Sequence, residues 1–159
     1  MTVLGVDPGL ASTGWGVVQS SGSSLRFVAQ GTIRTVSDES APERLLRIHR
    51  ALTDVIGRFK PDEMAVETLY FARNISSAIP VAQARGVVLV TAAQAGIPCR
   101  ELAPNEIKQA VVGVGNAGKE QVGAMVSLLL GFRPEPATDH AMDALASAIC
   151  CIHRGGAIV

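Results

Sequence analysis

Apolar residues run from Val3 to Val6, broken only by Gly5, and meet Asp7-Pro8-Gly9, so residues 2–7 predict a short buried strand closed by a turn. Thr13 to Gln19 and Leu25 to Ile33 predict two more strands, with Ser20-Ser21-Gly22-Ser23 as the hairpin loop between them. The period then changes. Ser40-Ala41-Pro42-Glu43 fits a capping box, and Leu45, Ile48, Leu52, Val55 and Phe59 recur at helical spacing until Lys60-Pro61 stops the helix. Glu63 to Glu67 predicts a fourth strand ending on a carboxylate, and Pro98 to Leu102 a fifth. Further helices are predicted from Ser76 or Ser77 to Gly96 with Pro80 in the first turn, over Pro104 to Val112, over Lys119 to Leu130, and from Asp139 to about His153. Three antiparallel-type strands followed by alternating helices and strands predict an α/β fold, a five-stranded mixed sheet flanked by helices on both faces.

The length of 159 residues suits one domain over 1–159, since no repeat, low-complexity segment or long linker divides it. An apolar share of 48% against 18% charged belongs to a packed chain and excludes a disordered one. Formal net charge is zero, so a nucleic-acid partner requires basic residues clustered on one face. Cys99, Cys150 and Cys151 form no C-x-x-C pair, and their odd number speaks against a disulfide framework and for a reducing, cytoplasmic compartment. No signal peptide is visible, and polar or charged residues are expected to keep every apolar run below membrane-spanning length.

Carboxylates at element ends carry the candidate chemistry. Asp7 closes a strand that should be buried, where its charge needs a partner; alone it reads equally well as an Asx-turn residue before Pro8-Gly9. Glu67 repeats the arrangement and by itself reads as a solvated strand end. Asp139, His140 and Asp143 open the last helix, with Ala141, Leu145, Ala148, Ile149 and Ile152 forming the opposite, core-facing stripe. Acidic residues there also complement the helix dipole. If the three sites converge, their oxygen ligands suit Mg²⁺ or Mn²⁺. Two such ions about 3.5–4 Å apart can activate a water and stabilise the leaving oxygen of a phosphodiester. No nucleophile elbow or Ser-His-Asp order competes, the cysteines read as small core residues, and His49 and His153 as ordinary surface or packing histidines.

Val6-Asp7-Pro8-Gly9 with Thr13-Gly14-Trp15-Gly16, then Val66-Glu67, Gln83-Ala84-Arg85-Gly86, Pro104-Asn105-Glu106-Ile107-Lys108-Gln109, Gly113-Val114-Gly115 and His140-Ala141-Met142-Asp143-Ala144-Leu145-Ala146 follow one another in order. This ordered set resembles the RuvC-type Holliday junction resolvases over essentially the whole chain. The resemblance implies a ribonuclease-H-like fold and a homodimeric, metal-dependent endonuclease. Its activity would be paired cleavage of four-way DNA junctions in recombination and repair, beside a branch-migration helicase complex. It makes Asp7, Glu67 and Asp143 catalytic ligands for two Mg²⁺ or Mn²⁺ ions. The fourth family position is often aspartate and here is His140, which can also bind a divalent metal; neighbouring Asp139 is the alternative.

Lys108 and Lys119 flank the glycine-rich 113–118 segment, where backbone can approach phosphate. The resemblance makes both DNA contacts, with Arg73 and Arg85 behind them. Tyr70 aligns with a family aromatic that wedges against junction bases, Phe71 reads as a core anchor, and Trp15 as core. The small-residue stretch 78–95 is a candidate dimer helix. Two other readings remain. One is a non-catalytic junction-binding protein on the same fold. The other is an actin-like phosphotransferase, whose D-x-G-x-x-x-x-G spacing Asp7 to Gly14 satisfies but which normally needs two such domains.

Overall fold

The computed structural model describes residues 1–69, 75–131 and 138–155; Tyr70, Phe71 and Arg73 lie outside them. Five strands and five helices follow in the order β1 (Thr2–Asp7), β2 (Ser12–Ser21), β3 (Ser24–Arg34), α1 (Ala41–Phe59), β4 (Glu63–Glu67), α2 (Ile75–Gln94), β5 (Cys99–Leu102), α3 (Pro104–Val112), α4 (Lys119–Leu130) and α5 (Asp139–Arg154). The strands form one sheet in the order β3-β2-β1-β4-β5. The β1–β2 and β2–β3 pairs are antiparallel, whereas β1–β4 and β4–β5 are parallel. The predicted mixed sheet with helices on both faces is thus what the chain forms.

Alternation along the strands divides the core in two. Val3, Val18, Ala65 and Leu102 face α3, α4 and α5, while Leu4, Val6, Val17, Met64 and Val66 face α1 and α2. On α1 the predicted stripe is the packed one, with Ile48 and Leu52 fully buried. Its capping box is formed: Glu43 N–H donates to Ser40 Oγ at 3.5 Å and Ser40 N–H to Glu43 Oε2 at 3.0 Å. Trp15 is half-buried and leans on Phe59, ring centroids 5.8 Å apart.

Two details depart from the expectations. The hairpin loop is shorter, because Gly22 takes φ +59° and lets β2 continue to Ser21 and β3 start at Ser24. Helix α2 begins by Ile75, which puts Pro80 beyond its first turn, where the helix gives up one backbone donor. That helix, 20 residues long, reaches the length and mean hydropathy of a membrane span, but Ser76, Ser77, Gln83, Arg85 and Thr91 interrupt it with polar and charged side chains, as expected. Only 22% of its most apolar stretch is buried within the chain.

A β-bulge shifts the β2–β3 register between Val17 and Val18, which face Ala29 and Phe27, so Val28 is the extra residue. Leu25 and Phe27 before it and Thr32 after it therefore reach the same face despite their different parity.

That face receives α5, and glycines let it come very close. A Cβ on Gly5 would lie 1.8 Å from the carbonyl oxygen of Ala144, and one on Gly14 would lie 2.1 Å from that of His140. Gly16 would meet Leu145 Cδ2 at 2.6 Å. Ala141, Ala144 and Ala148 are fully buried beneath the helix. Gly57 on α1, by contrast, has nothing within 4 Å of where its Cβ would be. Gly57→Ala should stabilise the chain by about 0.5–1 kcal/mol, and Gly5→Ala should destabilise it by about 3 kcal/mol or more, measured by urea unfolding. Equal effects at the two positions would contradict the close seating of α5.

Candidate active site

Asp7 and Glu67 leave the sheet side by side. They end the adjacent parallel strands β1 and β4, where Val6 is paired with Val66, and alternation points both toward the α5 face. Asp7 is paired in register with Gly14, over which the His140 carbonyl sits, so the first turn of α5 lands on the carboxylate end of the sheet. Asp143 follows one turn later. Fold and sequence spacing together bring Asp7, Glu67, His140 and Asp143 to one end of the molecule.

The contacts there are specific. His140 Nδ1 lies 2.7 Å from Asp7 Oδ2. An ionised carboxylate has no proton to give, so Nδ1–H donates and a neutral imidazole keeps its lone pair on Nε2. Asp139 points outward: its side chain is 82% exposed against 33% for Asp143. Lys119 Nζ is 3.2 Å from Asp143 Oδ2 and 3.6 Å from Asp139 Oδ2. Glu67, Lys108, Lys119 and Asp143 line a cleft of about 270 Å³ with apolar walls that include Ile107 and Val122. Of the other cations, Arg85 is paired with Glu101 instead of standing free for DNA.

Burial raises the Asp7 carboxyl above its ordinary range, the hydrogen bond from His140 opposes that, and the charge of Asp143 adds to it. Glu67 is raised by burial, then by Asp7 and Asp143, with Lys108 and Lys119 pulling it back. Burial works against the Lys119 ammonium, but the hydrogen bond and charge of Asp143, with Asp139 behind them, outweigh it and hold that group above its usual value. The end of the sheet is therefore short of positive charge.

Among the described residues no three His, Cys, Asp or Glu side chains already stand as a closed ligand set. The chemistry of the donors nonetheless fits a hard divalent cation. Carboxylate oxygens dominate, and one imidazole has its second nitrogen hydrogen-bonded to a carboxylate, the usual support of a metal-binding histidine. The Glu67 carboxylate has no hydrogen bond or ion pair among the described residues, whereas that of Glu63, two pleats earlier on the same face, accepts from Arg100 Nε at 2.8 Å.

Residues that escaped sequence reading hold this end in place. Thr138 caps α5 by accepting from Ala141 N–H at 3.2 Å, and its hydroxyl lies 2.6 Å from that of Thr32 on β3. A threonine before an acidic helix start is a legible cap; Thr32 carries no such signal. The other histidines stand at surface or packing positions as expected, and two of the three cysteines are core residues, with Cys99 partly buried. His49 Nδ1 is 2.8 Å from Thr91 Oγ1, His153 Nδ1 is 3.1 Å from the Ala110 carbonyl, and Cys150 and Cys151 are buried.

Because the folded Glu67 has the raised pKa, the native chain holds its proton at a pH where the unfolded chain has lost it. That contribution to stability is present at low pH and is lost as pH rises through the folded pKa. In metal-free buffer Glu67→Gln should therefore melt above the parent at pH 7, and the difference should vanish below about pH 4. Identical melting curves at pH 7 would remove the charge strain inferred for this carboxylate.

Known proteins share both the fold and the chain-long sequence pattern. Residues 3–151 match the family described as Crossover junction endodeoxyribonuclease RuvC. The protein of that name from Chloroflexus aggregans is 49% identical over 150 residues, covering 94% of this chain and 92% of the relative. That of Syntrophomonas wolfei is 48% identical over 153 residues, 96% and 89% of the two chains. Among solved structures, Thermus thermophilus RuvC in complex with Holliday junction substrate superposes with a TM-score of 0.91 at 38% identity, covering 98% of this chain and 94% of that one. The yeast mitochondrial Holliday junction resolvase Ydc2 shares the fold at a TM-score of 0.66 and 14% identity, covering 95% of this chain and 78% of the other. The chain therefore belongs to the crossover junction endodeoxyribonuclease RuvC family, a family of nucleases with the ribonuclease-H-like fold.

Proposed function

We propose that this chain, acting as one domain over 1–159, cuts four-way DNA junctions by metal-dependent phosphodiester hydrolysis. Asp7, Glu67, His140 and Asp143 are its catalytic metal-binding set. The observation that carries this reading is the meeting of these side chains at the carboxylate end of β1 and β4, beside a cleft that also holds Lys108 and Lys119. Two Mg²⁺ or Mn²⁺ ions would supply the activation of water and the neutralisation of the leaving oxygen.

The chain's own groups do the rest. Asp7, Glu67 and Asp143 offer oxygen ligands, and the raised Asp7 and Glu67 carboxyls favour a cation over mutual repulsion. His140 braces Asp7 through Nδ1 and presents Nε2, which supports it over the outward-facing Asp139 as the fourth ligand. Lys108 and Lys119 flank the scissile phosphate, and Arg73 and Tyr70 extend the DNA surface, Tyr70 by stacking on a base. The exposed apolar residues Ile75, Ile79 and Val90 of α2 support a homodimer through that helix, which would give a symmetric junction two cutting sites. A branch-migration helicase complex is the proposed neighbour in the cell. Three free cysteines and a DNA substrate support a reducing, cytoplasmic setting.

Asp7→Asn should bind a synthetic four-way junction within a few-fold of the parent. Its cleavage should fall by at least about 100-fold, beyond what losing a supporting partner costs. Gel shift and cleavage on the same preparation measure both. Retained cleavage would favour a different catalytic set, and absence of cleavage in the parent would favour the non-catalytic junction binder.

His140 sets a metal preference. Imidazole is softer than carboxylate and carries no charge, and Mg²⁺ demands hard oxygen ligands, so Mn²⁺ should support the faster cleavage. His140→Asp should narrow the Mn²⁺/Mg²⁺ rate ratio at saturating metal. An unchanged ratio would remove His140 from the ligand set and make Asp139 the candidate.

A further inference from the structure

Lys108 and Lys119 line the same cleft, yet their situations differ. Among the described residues Lys108 has no carboxylate within ion-pair distance. Lys119 has two, Asp143 Oδ2 at 3.2 Å and Asp139 Oδ2 at 3.6 Å. Its positive charge also reaches Asp7 and Glu67. The backbone at Lys119 is fixed, since it opens α4 directly after Gly118, whose N–H donates to Gln121 Oε1 at 3.1 Å, and Val122 is buried one turn on. The side chain above that anchor is 59% exposed and ends in a point charge on a flexible stem.

A divalent cation and this ammonium want the same Asp143 oxygen, and both cannot have it at contact distance. The ion pair is partly solvated and therefore weak, so a divalent ion with several ligands displaces it. Once displaced, the stem leaves an ammonium at the mouth of the cleft, where a DNA phosphate would lie. We propose that Lys119 is the counter-cation of the metal-free site, that metal binding at Asp143 evicts it, and that the eviction turns it into a phosphate contact. Metal and junction then bind cooperatively, because each relieves the competition that opposes the other. Lys108, with no carboxylate holding it, grips phosphate with or without metal. The inference rests on Asp143 being a metal ligand, as assigned above.

The test uses the folded protein and Mn²⁺ alone, without DNA, counting free Mn²⁺ by electron paramagnetic resonance. Lys119→Met should bind Mn²⁺ about twofold to fivefold more tightly than the parent, the range that an exposed ion pair commands. Lys119→Arg keeps the charge and should match the parent, and Lys108→Met should gain less than Lys119→Met. Asp143→Asn should bind more weakly. Thermal melts accompany each variant, and Lys119→Gln takes the place of Lys119→Met if the latter does not fold. If Asp143→Asn weakens binding but Lys119→Met gains nothing, the eviction is refuted and the ligand assignment stands. If Asp143→Asn leaves Mn²⁺ affinity unchanged, the ligand assignment fails and the eviction with it. Equal gains in Lys108→Met and Lys119→Met would also overturn the proposal, because they would reflect the general field of the cleft. A gain in Lys119→Arg equal to that of Lys119→Met would also overturn the proposal, because arginine keeps the charge.

Discussion

The functional end of this molecule depends on how closely one helix approaches one pair of strands. At Gly5 and Gly14 no side chain separates α5 from β1 and β2, because these glycines leave room for the helix backbone itself, and Gly16 leaves room for Leu145. A side-chain layer can repack when a residue changes, but backbone lying on backbone has almost no freedom to do so. The positions of His140 and Asp143 relative to Asp7 are thus set by main-chain geometry. The Thr32–Thr138 contact fixes the same helix end from the side, and the β3 bulge is what brings Thr32 to that face.

The electrostatic design is one of deliberate imbalance within a neutral chain. Glu63 and Glu67 share a strand and a face, and at Glu63 the charge is neutralised locally by Arg100. At Glu67 no ion pair among the described residues does so; Lys108 and Lys119 act on it only at a distance, and burial and the neighbouring carboxylates outweigh them. An acidic pocket with two lysines at its mouth suits a substrate that is itself an anion arriving with cations. Bulk charge could never have revealed this, because the signal is the separation of opposite charges across a few ångströms.

Much of this was legible in sequence because the relevant patterns are local. The capping box at Ser40, the periodic stripe of α1 and the carboxylate ending β4 each announce themselves within a few residues, and the ordered motifs identified the family. What stayed hidden depends on contacts between distant segments. Nothing near Thr32 says that it meets Thr138, and a bulge that shifts parity at Val28 has no signature in an apolar run. The competition between Asp139 and His140 has the same origin: sequence places both at the helix start, and only the sheet beneath decides which one meets Asp7. Glycines in strands were visible, but their close approach to α5 was not.

The bulge at Val28 also bears on solubility. β3 is an edge strand of 11 residues, long enough to template pairing with another chain, whereas the opposite edge, β5, has only 4 residues. An uninterrupted flat edge of that length is an aggregation hazard, and a bulge bends and twists it out of register with any straight partner. The same irregularity that brings Thr32 to the start of α5 thus discourages sheet-to-sheet polymerisation. Removing Val28 to regularise the strand would then endanger the protein's monodispersity as well as its chemistry.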